Sequence, residues 1–144
     1  MRVITGTARG RVLRTLEGED VRPTTDRVKE AVFSIIQFEI EGRRVLDLFA
    51  GSGQLGIEAL SRGADSATFV DMSKDSLATV KYNLEHTKLG DRAKVIQTDA
   101  LSFLKLTKDR FDIVFIRHKG SSRYNQTHGE YVRQGDSRRH AQLS

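Results

Sequence analysis

The hydrophobic pattern of this chain changes period repeatedly between residues 43 and 116. Short apolar runs, typical of buried strands, alternate with segments whose apolar residues recur at helical spacing. The predicted strands are residues 45–49, 67–71, 94–99 and 111–116, and the predicted helices are residues 54–62, a segment beginning after Ser73, and residues 100–106. Alternating strands and helices predict an α/β fold, with a parallel sheet joined by right-handed crossovers.

The opening of the chain follows a different pattern. Residues 1–5 and 11–16 alternate roughly with period two, and a segment containing Gly6 and Gly10 lies between them. This pattern predicts a β-hairpin arm. Its arginines either grip nucleic-acid phosphates or lie on an ordinary solvated strand face.

A helix is predicted after the single proline of the chain. Pro23 disfavours helix at Arg22, and Thr24 or Thr25 can then cap the helix that follows. Apolar residues at helical spacing give this helix one face for packing on the sheet: Val28, Ala31, Val32, Ile35 and Ile36. Either the segment simply starts a helix, or Arg22, Thr24 and Arg27 border a ligand cleft.

The first predicted strand of the core ends in a glycine turn. Gly51, Gly53 and Gly56 fit the spacing G-x-G-x-x-G between a strand and a helix. Such a turn presents backbone N–H groups and the positive end of a helix to a ligand. The spacing alone is a weak signal, because many folds use glycine to turn tightly.

Three aspartates lie at or near the ends of successive predicted strands. In a parallel sheet these ends meet at one edge, where ligands bind. Asp71 ends the second strand and can accept hydrogen bonds from ribose hydroxyls. Asp99 ends the third strand and could meet an adenine, or it could cap the helix that begins at Ala100. Asp47 precedes the turn, close to where a cationic or amino group of the ligand would lie.

Two cofactors use this architecture, S-adenosylmethionine and a nicotinamide dinucleotide. A dinucleotide places its pyrophosphate against the turn, where the carboxylate of Asp47 would repel it. Asp47 therefore favours S-adenosylmethionine, and a dinucleotide-binding domain remains the alternative.

Composition adds a few constraints on the kind of protein and on its possible sites. The chain has 144 residues, a net charge of +5 and no cysteine, which excludes disulfides and thiolate metal sites. Most of the net positive charge lies in residues 117–144, which hold six basic and two acidic side chains. No histidine and carboxylate spacing predicts a metal site, and no apolar run approaches the length needed to cross a membrane. A cytoplasmic protein is the expectation.

Three stretches together resemble a known family. They are RVITGTARGR at the start, RPTTDRVKEAVFSI from Arg22, and DLFAGSGQLGIEALSRGA from Asp47. In this order they resemble the RsmD-type 16S rRNA guanine methyltransferases, class I S-adenosylmethionine-dependent enzymes that methylate the exocyclic amine of a guanine. The resemblance covers residue 1 to about Ile116, and the RPTTDR segment makes it more specific than the glycine turn alone.

The resemblance implies roles for individual residues. The methionine part of the cofactor would lie against Asp47, Ala50, Gly51, Ser52 and Gly53. Asp71 would hold the ribose, and Asp99 with Ala100 would lie along the adenine. The target base would lie near Arg22, Thr24 and Arg27, and RNA phosphates near Arg2, Arg9 and Arg11. The implied partner is 16S rRNA or a small-subunit assembly particle, and a monomer is expected.

The sequence departs from the family after Ile116. The family motif Asp-Pro-Pro-Tyr is replaced by Arg117, His118, Lys119 and Gly120. In the family, the motif accepts hydrogen bonds from the target amine and stacks on the flipped base. Arg117 cannot accept a hydrogen bond, so no catalytic residue is assigned in this chain.

The segment after the departure has few apolar residues and no regular period, which predicts a basic tail without regular structure. The expected division is therefore residues 1–41 as arm and first helix, 42–116 as an incomplete cofactor-binding Rossmann-like core, and 117–144 as tail. A frameshift or misassembled reading is one hypothesis for the departure, and a native RNA-binding tail is the other. Functionally, the alternative to a methyltransferase of this family is a non-catalytic remnant that binds cofactor or RNA.

Overall fold

The computed structural model describes residues 1–16, 23–117, 130–134 and 139–143. Its helices are α1 (Pro23–Ile36), α2 (Gln54–Ser61), α3 (Lys74–Thr87) and α4 (Ala100–Leu106), with a short 3-10 helix at Gly90–Arg92. Its strands are β1 (Arg44–Leu48), β2 (Ser66–Asp71), β3 (Ala93–Gln97), β4 (Ile113–Arg117), β5 (Glu130–Gln134) and β6 (Arg139–Leu143). Within these described ranges no helix is long and apolar enough to cross a membrane.

One six-stranded sheet organises the chain, in the order β3-β2-β1-β4-β5-β6. Strands β1 to β4 are parallel, with Leu48 opposite Val70 on one side and Ile116 on the other. The predicted parallel α/β core is therefore confirmed. The strand order reverses between β1 and β4, and open α/β sheets bind ligands beyond the carboxyl ends of strands at such a point.

Apolar residues alternate between the two faces of the sheet. Val45 and Phe69 belong to the larger core cluster, together with residues from the arm, α1, α2 and α3. Leu46 and Val70 face the other way and pack with Phe103 of α4. Burial on both faces explains why these strands appear in the sequence as short apolar runs.

The opening arm is a hairpin held by a few hydrogen bonds. Arg2 and Val12 form an isolated antiparallel bridge, the Val3 amide donates to the Arg11 carbonyl at 3.0 Å, and the Gly10 amide donates to Val3 at 2.9 Å. The predicted hairpin is therefore present, although it forms one bridge rather than two full strands. Val3 and Leu13 anchor it in the core.

The first helix begins at least two residues earlier than the capping prediction requires, because a cap at Thr24 would place the first helical residue at position 25. Helix α1 starts at Pro23, so Thr24 and Thr25 lie within its first turn and the prediction that one of them precedes the helix as its cap is wrong. Proline suits this first position because its fixed φ is already helical and its missing N–H would have had no partner inside the helix.

The segment after Ile116 also differs from expectation. Regular structure was not predicted there, yet β5 pairs antiparallel with β4, and β6 pairs antiparallel with β5. The expectation of a tail without regular structure is wrong for residues 130–134 and 139–143. Strands pair through backbone N–H and C=O groups, and this pairing does not require alternating apolar residues. The hydrophobic pattern of the sequence therefore did not predict β5 and β6.

Candidate functional site

The glycine turn lies where β1 passes into α2. Gly51 and Gly53 have φ values of 59° and 82°, in the left-handed region that favours glycine. A Cβ atom at Gly53 would also lie 3.1 Å from Val80 and 3.3 Å from Phe69. The Ala50 amide donates to the Val70 carbonyl at 3.0 Å, which fixes the turn against the end of β2. The backbone conformation of this turn is therefore restricted by its φ angles, its close packing and its hydrogen bond to β2.

Asp47 lies beneath this turn. Its side chain is buried, and its Oδ2 accepts a hydrogen bond from the Gly56 amide at 3.1 Å. The carboxylate thereby ties β1 to the first turn of α2. The structure places Asp47 beside the turn, as the sequence suggested, while its contact with a cofactor stays a prediction.

Asp71 connects the end of β2 to the same turn. It is 3% exposed, its Oδ2 accepts from the Gly51 amide at 3.0 Å, and its Oδ1 accepts from the Ser73 amide at 2.9 Å. Hydrogen bonds from amides to a carboxylate are the stronger kind. Two residues that are twenty positions apart in sequence are thus brought into direct contact at the carboxyl end of the sheet.

Asp99 caps a helix, one of the two alternatives that the sequence left open. It precedes α4, and its carboxylate accepts from the Ser102 amide at 2.8 Å and from the Ser102 hydroxyl at 2.6 Å. These hydrogen bonds, the hydroxyl first, lower the pKa of Asp99 below its ordinary value of 3.8. Contact of Asp99 and Ala100 with an adenine stays a prediction.

Ser52 carries a buried polar atom with no partner. Its hydroxyl is fully buried and makes no hydrogen bond within the part of the chain that the structure describes. Leaving a buried hydroxyl unpaired costs about 1–3 kcal/mol. Together with the buried carboxylates of Asp47 and Asp71, this spare hydroxyl fits a site that receives a polar ligand.

Asn83 is a functional candidate that sequence reasoning missed. It is fully buried, and its side-chain amide donates to the Ser52 carbonyl at 3.0 Å and to the Arg14 carbonyl at 2.9 Å. Its Oδ1 accepts from the Arg14 amide at 2.8 Å. One side chain therefore joins the glycine turn to the end of the arm. Its polar character on the apolar face of α3, beside Val80 and Leu84, was the signal available in the sequence.

Most of the predicted RNA-contacting residues are exposed. Arg2, Arg9, Arg11 and Arg27 are all accessible to solvent, and Arg2 donates to the Gly10 carbonyl at 3.0 Å. Arg22 lies outside the described residues, and the side chain of Thr24 is likewise not described. Arg117 is the last residue of β4, and His118, Lys119 and Gly120 fall outside the described ranges. Within those ranges no group of histidine and carboxylate side chains could hold a metal ion.

A family model described as Conserved hypothetical protein 95 matches residues 1–117 of this chain. The match therefore includes the arm, the glycine turn and all four parallel strands. It ends at the last residue of β4.

Two curated bacterial proteins are similar to the chain. Ribosomal RNA small subunit methyltransferase D of Haemophilus influenzae is 44% identical over 119 residues, which cover 81% of this chain and 62% of that protein. YlbH of Bacillus subtilis, a candidate rRNA methyltransferase, is 51% identical over 100 residues, which cover 69% of this chain and 54% of that protein. The chain thus spans less than two thirds of the length of either relative.

A solved structure resembles the fold. It is that of yhhF from Escherichia coli, a candidate methyltransferase, with 39% identity and a TM-score of 0.76. The alignment covers 85% of this chain and 66% of that one. The predicted fold class, a Rossmann-like sheet of the class I methyltransferase type, is therefore confirmed.

Proposed function

The chain belongs to the Conserved hypothetical protein 95 family, and on that premise we propose that it binds S-adenosylmethionine and belongs to an rRNA (guanine-N2)-methyltransferase. The observation that carries this proposal is the hydrogen bond between Asp71 and the Gly51 amide. It joins the acidic end of β2 to the glycine turn, so the residues proposed as ribose acceptor and as backbone cradle are neighbours. The methyltransferase names of similar proteins support the same assignment.

In this proposal, different residues bind different parts of the cofactor. Asp71, at the end of β2, would accept hydrogen bonds from the ribose hydroxyls. The turn from Ala50 to Gly53 would receive the methionine part, where the unpaired hydroxyl of Ser52 can form a hydrogen bond. Asp47 would favour the amino group of the methionine part over the pyrophosphate of a dinucleotide, because a carboxylate attracts a cation and repels an anion.

The cofactor supplies a methyl group on a positively charged sulfur, and no metal is required for its transfer. In the proposed reaction a bond forms between this methyl and the guanine amine as the bond to sulfur breaks, and the amine gives up one proton to water. The contribution of the protein is to hold the two reactants in line. The exposed arginines of the arm would hold the RNA through its phosphates.

The proposed substrate is 16S rRNA or a small-subunit assembly particle, and the proposed form is a cytoplasmic monomer. The rRNA methyltransferase names of the relatives support the substrate class. Shape and unpaired bases, rather than a duplex groove, are the usual features by which proteins recognise RNA.

Two measurements test the proposal. Isothermal calorimetry with S-adenosylhomocysteine and, separately, with NAD should show binding of the former alone. Binding of NAD without S-adenosylhomocysteine would establish the dinucleotide-binding alternative. A methyl-transfer assay on undermethylated small-subunit RNA then compares this chain with a full-length relative. Cofactor binding without methyl transfer would establish the non-catalytic alternative for this chain.

A further inference from the structure

Three side chains form a stack on the surface beside the arm. The Arg14 guanidinium carbon lies 3.6 Å from the centre of the Tyr82 ring. The Tyr82 and His86 rings are nearly parallel, with an angle of 9° and a centroid distance of 5.9 Å. Tyr82 is 41% exposed, and Arg14 and His86 are exposed as well. We name Arg14, Tyr82 and His86 the stacked patch.

The stacked patch is held at a fixed position relative to the glycine turn. Asn83, the neighbour of Tyr82 on α3, binds both the amide and the carbonyl of Arg14 and also the carbonyl of Ser52. Because Asn83 is fully buried, these hydrogen bonds are shielded from competing water. A ligand bound to the stacked patch would therefore lie at a fixed position relative to the glycine turn.

Charge around the patch favours a polyanion. Residues 1–16 contain four arginines and no acidic residue. Within the described residues, Arg9, Arg11 and Arg14 make no ion pair. On α3, Lys81 is also exposed, and Glu85 is the acidic residue of that turn. Positive charge that the described residues do not neutralise can attract phosphates.

We propose that the stacked patch binds an unpaired base of an RNA strand while the arm arginines contact the adjoining phosphates. Flat aromatic and guanidinium groups stack on bases of any sequence, and single-stranded RNA is the form whose bases are free to stack. This inference rests on the proposed function and extends it by naming a surface, separate from the glycine turn, that binds RNA. Neither Tyr82 nor His86 has a role in the cofactor contacts assigned above.

The test measures the affinity of the full chain for single-stranded RNA by fluorescence anisotropy. The probe is a labelled mixed-sequence strand of about 12 nucleotides, a length within the usual site size. The variants are Tyr82→Ala, Tyr82→Phe, Arg14→Lys and His86→Ala, with Lys105→Ala on α4 as a control that removes an exposed charge elsewhere. Thermal melting and calorimetry with S-adenosylhomocysteine are run on every variant.

Tyr82→Ala should raise the Kd for the strand about tenfold, since loss of one stacking aromatic has an effect of this order. Tyr82→Phe, which keeps the ring, should bind within about twofold of the parent chain. Arg14→Lys, which keeps the charge but loses the flat guanidinium, should bind more weakly than the parent chain. Lys105→Ala should change the Kd much less than Tyr82→Ala.

Unchanged RNA affinity in both Tyr82→Ala and His86→Ala would overturn the inference, and so would failure of the parent chain to bind the strand. If Tyr82→Ala does not fold, His86→Ala and Arg14→Lys decide the matter, because both residues are exposed. Failure of the parent chain to bind S-adenosylhomocysteine would refute the proposed function instead. The RNA measurement would still decide the role of the patch.

Discussion

Lys29 Nζ lies 3.1 Å from Glu58 Oε1, and this ion pair is almost completely buried between α1 and α2. Glu58 also accepts hydrogen bonds from the Ile4 and Thr5 amides of the arm and from Arg62 Nε at 2.9 Å. Lys29 in turn donates to the Arg2 carbonyl at 3.0 Å. The pair therefore fastens the arm to the two helices beneath it.

Replacing Glu58 should strongly destabilise the fold. Glu58→Ala leaves the Lys29 ammonium buried without its carboxylate, and removing one partner of a buried pair costs about 3–5 kcal/mol. Urea denaturation should show this loss in the free energy of unfolding. Glu85→Ala, at an exposed position on α3, is the control and should change it by less than about 0.5 kcal/mol. Equal stability of the two variants would contradict the assigned role of Glu58.

Asp71→Asn should weaken cofactor binding. The substitution keeps the shape but removes the negative charge, and hydrogen bonds to charged groups contribute about 1.5–3 kcal/mol. We expect the Kd for S-adenosylhomocysteine to rise at least about tenfold, a change that calorimetry can measure. Asp75→Asn, exposed in the first turn of α3, is the matched control. An unchanged Kd in Asp71→Asn would remove this carboxylate from the cofactor site.

Gly56→Ala should overpack the space between α2 and the sheet. A Cβ atom there would lie 2.3 Å from Phe69 Cε1 and 2.6 Å from Phe69 Cζ, so the ring must move. Overpacking of a core costs about 1–3 kcal/mol. Gly90→Ala is the control, because a Cβ atom at Gly90 meets no atom within 4 Å. Melting temperatures should fall for Gly56→Ala only, and the double variant with Phe69→Leu should recover part of the loss.

The cap at Asp99 should make part of the stability pH-dependent. Because the pKa in the folded chain is below 3.8, the stabilisation is present above that value and is lost as the pH falls through the folded pKa. Asp99→Ala should therefore be less stable than the parent chain near neutral pH, and the difference should shrink under acidic conditions. Urea denaturation midpoints of both proteins, measured from near-neutral to acidic pH, test this difference in stability. A difference that stays constant with pH would show that the carboxylate charge does not contribute.

Asp99→Asn separates the charge from the cap itself. Asparagine keeps a side-chain oxygen for the Ser102 amide and is a good capping residue. It should therefore lose less stability than Asp99→Ala near neutral pH, because only the charge and its hydrogen bond to the Ser102 hydroxyl change.

Features that depend on local residue pattern were predictable from the sequence. Runs such as residues 45–49 predicted the parallel strands, because burial on both faces requires apolar residues on both sides. The glycine spacing predicted the turn before α2, since only particular backbone angles permit it. The position of Asp71 at the end of the second strand predicted that it would lie at the same edge of the sheet as the glycine turn.

Contacts between residues far apart in the chain were not predictable in this way and emerged from the folded structure. Arg14 and Asn83 are separated by 69 positions, and no period in the sequence relates them. The placement of Glu58 under the arm depends likewise on how α2 packs against Val3 and its neighbours. The capping role of Asp99 required the actual geometry of Ser102, since the sequence allowed either a cap or a ligand contact. Such contacts depend on the relative placement of whole elements, which burial of the shared core fixes and local propensity does not.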